Sequence, residues 1–311
     1  MKRTISVVLV SLAALFGATS TAMAETVMKP FILSSVESGS VEARKAQVSA
    51  KLDQAGFDIV GTYAPFAGAE VLIVTNDHLK KQAAKTEFGA YGAAQRISIT
   101  DMNGEIQVAY TNPAYMAAAY RMDADMAPVA QALETALGNQ GEFGPEEGMT
   151  ADDLEDYHYM FLMPYFDDPN RLGSAKSYTE MVERIETNLA QGVGGASKVY
   201  RIDIPGKEST VFGIGLKGEG EEGRQQDDAW VMSEIDFKPT RSTAHLPVEI
   251  VVSGKFAWAL SARFRIAINF PDLSMTGDNS FMNIMGAPIA IQKAQTLVAG
   301  GTYTGDGKYA D

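Results

Sequence analysis

QRISITDMNGEIQVAYTNPAYMAAAY, residues 95–120, decides the fold. Ile97 and Ile99 alternate with Ser98 and Thr100, and Ile106 and Val108 alternate with Glu105 and Gln107. A period of two puts every second side chain on one face of a strand, so each run predicts a strand with one apolar face. Asn103-Gly104 tolerates the positive φ angles of a tight turn, and with the two runs it predicts a β-hairpin. A looser echo returns at 246–275, LPVEIVVSGKFAWALSARFRIAINFPDLSM, where Ser253-Gly254-Lys255 takes the place of the turn. An Asn close to a Pro follows the second strand in both: Asn112-Pro113 in one, Asn269-Phe270-Pro271 in the other. The repetition predicts a duplicated unit.

Upstream of the hairpin, the pattern predicts a strand at 31–36 and a helix at 41–54. Val41, Val48, Leu52 and Ala55 share one face of that helix, and Gly56 ends it. Strands follow at 59–64 and 70–75, then a short helix at 79–86 entered through Asn76 and Asp77, both good N-caps. Beyond the hairpin, a helix at 126–137 has Pro128 in its first turn and Gly138 behind it. The order begins again from residue 157. A strand is expected at 159–166, a helix at 178–189 with Met181, Val182, Ile185 and Leu189 on one face, and strands at 199–204 and 210–216. The hairpin echo and a closing helix at 287–298 complete the second unit.

Pro65 and Pro205 stand at the same interval as Val71 and Val211, and the interval lengthens before the second hairpin. The second copy therefore carries an acidic insert near 217–236. The expected fold class is α+β: a tandem duplication of a strand-helix-four-strand-helix unit with curved antiparallel sheets. The copies span 27–138 and 157–311, and the acidic, Gly-rich linker 139–156 between them is expected to be the easiest place for a protease to cut. An intramolecular pair of this kind predicts a monomer with an internal pseudo-twofold axis.

The chain opens on a basic pair, Lys2 and Arg3, an apolar stretch at 5–17 and the small-x-small triplet Ala22-Met23-Ala24. Residues 1–24 read as an export signal, which places the mature chain in the periplasm with no membrane span after cleavage. Formal net charge is −13 and becomes two units more negative when Lys2 and Arg3 leave. So acidic a chain repels phosphate backbones, which argues against nucleic acid as a partner. With no cysteine there is no disulfide framework and no thiolate chemistry.

The run GFDIVGTYAPFAGAEVLIVTND, followed by QRISI and VAYTNPAYMAAAY, resembles the bacterial family called domain of unknown function 302. The resemblance covers 30–138 well and 157–299 loosely. It implies a TATA-box-binding-protein-like α+β fold with the same element order, and it implies no activity.

Motifs for chemistry are sparse. Gly213-Ile214-Gly215-Leu216-Lys217-Gly218 matches GxGxxG after a strand, but Glu219, Glu221 and Glu222 follow it, so a dinucleotide phosphate would meet carboxylates; no cofactor is expected. His78, His158 and His245 lie far apart and read as surface or satisfied core residues. No nucleophile signature is present, and the expectation is a non-catalytic binding or accessory protein, with an unrecognised hydrolase or isomerase as the alternative. Pro113 ends the ladder, so a ligand groove is expected where Tyr110, Tyr115 and Tyr120 leave the hairpin, with Asn112 and Asn269 supplying paired amides to a small apolar ligand. Met116, Met122 and Met126 form a Cu(I) alternative, and an envelope protein is the alternative partner.

Overall fold

The computed structural model describes residues 26–303 and 309–310. The export signal expected at 1–24 lies outside the described residues. In chain order the elements are β1 (Phe31–Ser38), α1 (Val41–Gln54), β2 (Asp58–Tyr63), β3 (Ala69–Thr75), α2 (Asp77–Ala83), β4 (Gln95–Met102), β5 (Glu105–Thr111), α3 (Pro113–Ala119), α4 (Ala127–Leu137), β6 (Gly141–Phe143) and α5 (Ala151–Glu155). The second half runs β7 (Asn170–Ser174), α6 (Tyr178–Ala190), β8 (Ala196–Asp203), β9 (Ser209–Leu216), α7 (Gly220–Gly223), α8 (Asp228–Ile235), β10 (Val248–Ser253), β11 (Phe256–Ala259), α9 (Ala262–Ala267) and α10 (Ala287–Val298).

Among the described residues, two large antiparallel sheets form. One has the order β2-β3-β4-β5-β1-β6 and the other β8-β9-β10-β11-β7, so five strands of each follow one topology. The irregularities repeat as well. β2 bulges between Ile59 and Gly61, and β8 bulges at the same place between Lys198 and Tyr200. β1 shifts register between Leu33 and Ser35 opposite β5, and β7 shifts between Arg171 and Gly173 opposite β11. A bulge is a defined backbone device, and two of them at matching positions mark a duplication more firmly than the low sequence identity of the halves.

The founding hairpin forms as read. Asn103 has φ 60° and Gly104 φ 94°, the two positive angles of a type I′ turn, and Asp101 Oδ1 accepts from the Gly104 amide at 2.6 Å. Helix starts follow from side chains that satisfy free amides: Ser40 caps α1, and Asn76 caps α2 by accepting from Leu79 N at 2.9 Å. In α1 the buried residues are Val48 and Leu52, on the face that the sequence spacing selects.

Ile97, Ile99, Ile106 and Val108 face α1 and α4 in a core belonging to the first copy. The opposite face, Arg96, Ser98, Thr100 and Gln107, is polar in sequence yet buried, because the second copy lies on it. Thr100 and Gln107 are satisfied across the joint. Thr100 Oγ1 donates to Thr243 Oγ1 at 3.0 Å, while Gln107 exchanges two hydrogen bonds with the Arg241 backbone at 2.7 and 2.9 Å. A second, larger core runs through both halves and reaches α6, whose Met181, Val182, Ile185 and Leu189 are buried as the spacing requires.

Two expectations are corrected. Residues 159–166 form turns, and the first strand of the second copy is β7, further on. The apolar run there contains Pro164 and leaves Phe161 and Leu162 in solvent, whereas NRLGS pairs with β11. The segment 139–156 is tied down: β6 pairs with β1, Met28 and Met149 bridge, and Thr150 and Asp153 close a capping box on α5. The acidic insert is helical over α7 and α8 and docks through buried side chains. Among the described residues no helix is long and apolar enough to cross a membrane.

Candidate functional site

Where the copies meet, β4 carries Arg96 and β10 carries Glu249, and their side chains form an ion pair only 4% and 2% exposed. Arg265 of α9 completes the group, giving its Nε to Glu249 Oε2 at 2.9 Å and Nη2 to Glu249 Oε1 at 3.2 Å. The same guanidinium donates to the His245 carbonyl at 2.7 Å and lies 3.0 Å from His245 Nδ1. Arginine carries no acceptor, so Nδ1 is the acceptor and the His245 proton sits on Nε2. Burial, with the charges of Arg265 and Arg96, holds His245 well below the usual histidine range, so it is neutral. These four buried residues form one connected ionisable group at the joint.

Phe270, which meets the His245 ring edge-on at 5.2 Å between centroids, leads from this cluster to a cleft of about 250 Å³. The linker contributes Phe143 and Gly144 at the end of β6, the strand it adds to the first sheet. Ile235 at the end of α8, with Asp236 to Thr240 and Ser242 after it, and Asn269, Phe270, Asp272 and Leu273 after α9 supply the rest. The walls are apolar at Phe143, Ile235, Phe237, Phe270 and Leu273; polar groups come from Asn269, Ser242, Asp236, Lys238 and Asp272. Lys238 pairs with Asp272 and donates to the Gly144 carbonyl at 2.9 Å, which ties the linker to the second copy at the rim. Asp236 is buried, which raises its carboxyl to about 7 against the pull of the Ser242 amide and Arg241. Asn269 Nδ2 donates to the Arg265 carbonyl at 3.0 Å, and its Oδ1 has no partner.

Of the residues read from the sequence, Asn269 reaches this cleft. Tyr110, Tyr115 and Tyr120 are fully buried: Tyr110 bonds the Gly138 carbonyl, Tyr115 bonds the Ile268 carbonyl at 2.7 Å across the joint, and Tyr120 sits among Tyr91 and Phe166. Asn112 is the N-cap of α3, with Pro113 in the first turn. Its counterpart is Ser261 at the start of α9, whereas Asn269 lies beyond the end of that helix, so the two asparagines are not an equivalent pair. Met116 belongs to the shared core and Met126 to the core of the first copy, with Met122 against both. Among the described residues no three His, Asp or Glu side chains gather in a metal-ligating group.

Gly213 and Gly215 have a structural account. A Cβ at Gly213 would run into the Tyr200 ring, and one at Gly215 into the Tyr63 ring of the first copy. Tyr63 then reaches Asp228 Oδ2 at 2.5 Å, and that oxygen also accepts from Leu216 N at 2.8 Å. Gly213 and Gly215 leave room for aromatic rings against the sheet. Sequence reading missed the buried Arg96, Glu249, Arg265 and Asp228; the signal available for the first three was an isolated charge inside an apolar stretch. Searches against family models, curated proteins and solved structures return no match for this chain.

Proposed function

We propose that this chain is an exported, non-catalytic binding protein whose two copies of one α+β unit act as an intramolecular pair and take a small, largely apolar ligand between them. The observation that carries the reading is the cleft of about 250 Å³ at Phe143, Phe237, Phe270 and Leu273, with Asn269 and Ser242 as its inner polar groups. Apolar walls with a few polar groups are what small-molecule sites have in common. The linker strand β6, the insert and the second copy build it. Kinship with domain of unknown function 302 and a periplasmic location belong to the same proposal, on the residues quoted above.

Native mass spectrometry of protein purified gently from its own envelope fraction tests it. The expected spectrum shows an adduct of small-molecule mass that is lost in Thr240→Trp, which fills the cleft. An adduct that persists in that variant, or unliganded protein from every preparation, rejects the site. A second reading, an envelope interaction module, is favoured by the loop that carries Phe161 and Leu162, 84% and 86% exposed, beside a groove lined by Tyr165, Arg263 and Ile289. One stoichiometric protein captured by the wild type and lost in Phe161→Ser, Leu162→Ser would support that reading.

A further inference from the structure

Among the described residues, most of the large apolar side chains that face solvent sit on two neighbouring segments. Met160, Phe161, Leu162 and Tyr165 come from the turns at 159–166. Met282, Met285 and Ile289 recur at spacings of three and four along the turns that lead into α10. The segments meet: the Tyr159 and Phe281 rings lie 6.3 Å apart, and Leu162, Tyr165, Pro288 and Ile289 line one groove of about 600 Å³.

The first segment is held out in water. Tyr157 Oη donates to the Ala267 carbonyl at 3.3 Å and Tyr159 Oη to the Leu273 carbonyl at 2.6 Å, which pins its start, and Arg121 pairs with Asp167 at 2.7 Å beyond its end. Between these anchors Leu162 takes φ 68°, a left-handed angle uncommon for leucine, and Phe161 and Leu162 stand almost fully in solvent. Charge stops at the border of this face. The chain is 21% charged, yet 159–166 and 279–292 contain no Asp, Glu, Lys or Arg. Arg263 and Lys293, both exposed, stand at the border with Asp167, Asp168 and Asp278; Asp168 accepts from the Tyr165 amide at 3.1 Å.

We propose that this face docks on a phospholipid bilayer of zwitterionic headgroups, with Phe161 and Leu162 inserted below the headgroups and Met282, Met285 and Ile289 laid against them. A bilayer takes apolar side chains of any shape but penalises every charge carried into it, and this face is uncharged where it projects and charged only at its border. A protein partner imposes no such rule, because polar groups are shared across protein interfaces. The mixed border suits headgroups that carry both signs: Arg263 and Lys293 meet phosphate, and the aspartates meet ammonium. A net charge of −13 sets the chain against anionic lipid. The proposal is independent of the ligand in the cleft.

Protein purified from its envelope fraction is floated with vesicles of phosphatidylethanolamine and phosphatidylcholine, and with vesicles enriched in phosphatidylglycerol. It is expected to float with the zwitterionic vesicles, and less with the anionic ones at low salt. The bound fraction falls on the order of tenfold in Phe161→Ser, Leu162→Ser and is unchanged in Val36→Ser, which alters an exposed apolar residue on β1. Zwitterionic vesicles also slow chymotryptic cleavage within 157–168. Flotation that fails at every composition, or that survives Phe161→Ser, Leu162→Ser, overturns the proposal. So does protection of the same loop by a second copy or by one stoichiometric envelope protein in the absence of lipid.

Discussion

Arg96 and Glu249 occupy the same position in the two copies and are paired with each other. Ser98, two residues after Arg96, pairs with Val71; Val251, two residues after Glu249, pairs with Val211; and Val71 and Val211 correspond in the two sheets. In a symmetric homodimer of single units, one residue would face its own copy at this place, and like charges would repel. Fusion into one chain lets the position hold opposite charges. Glu249→Gln is expected to lower the unfolding free energy by about 3–5 kcal/mol, because it leaves Arg96 and Arg265 buried without a carboxylate. Urea denaturation measures this, and a loss below about 1 kcal/mol, the range of exposed pairs, would mean that the pair is hydrated.

Gly213 and Tyr200 give the second prediction. An alanine methyl at 213 collides with a ring that is itself buried, so Gly213→Ala is expected to cost about 1–3 kcal/mol through forced displacement of Tyr200. The effect depends on the ring. In a Tyr200→Leu background the same change costs markedly less, and additive losses in the double-mutant cycle would show that the glycine serves something else.

How far the sequence can be read follows from these residues. The hairpin at 95–111 was legible because its turn and its alternation are local properties, and the helices because their apolar spacing is. What was not local was not legible. Ser98, Thr100 and Gln107 read as a solvent face, since nothing within one copy says that the other copy covers them. For the same reason the tyrosines of 110–120 read as groove-lining, while Asn269 was placed near the cleft by proximity to a proline rather than by its true neighbours. The run at 159–166 misled through composition, because apolar residues without a period are equally consistent with a strand and with an exposed loop.

Phe161 and Leu162 make that loop the expected point of proteolytic attack. Their side chains are almost fully in solvent, whereas 139–156 is held by β6, the Met28–Met149 bridge and α5. Limited chymotrypsin digestion with mass-spectrometric mapping should place the first cut in 157–168. Phe161→Ser, Leu162→Ser should slow that cut and leave Tm unchanged. A first cut within 139–156 would contradict the pairing of β6 with β1.

The last prediction concerns pH. Asp228 and Asp236 open and close α8, and burial raises both carboxyls from the ordinary 3.8 to about 7. Asp228 faces Tyr63, the Leu216 amide, Asp227 and Lys217; Asp236 faces the Ser242 amide and Arg241. A folded-state pKa above the unfolded one means that the native protein holds the extra protons, so this stability is fully present below about pH 3.8 and is lost as pH rises through about 7. His245 acts in the opposite sense. Its folded pKa is depressed, so its contribution is present above the unfolded value near 6.5 and is lost as pH falls. Between pH 8 and pH 5, two groups therefore favour acid and one opposes them. Asparagine at 228 and 236 keeps an acceptor oxygen for the same amide donors but cannot titrate. Wild type is expected to gain stability as pH falls from 8 to 5, and Asp228→Asn, Asp236→Asn to lose it over the same range, with His245 then in control. Chemical denaturation at half-unit steps of pH distinguishes the two slopes, and parallel curves would show that neither aspartate is protonated in the native state.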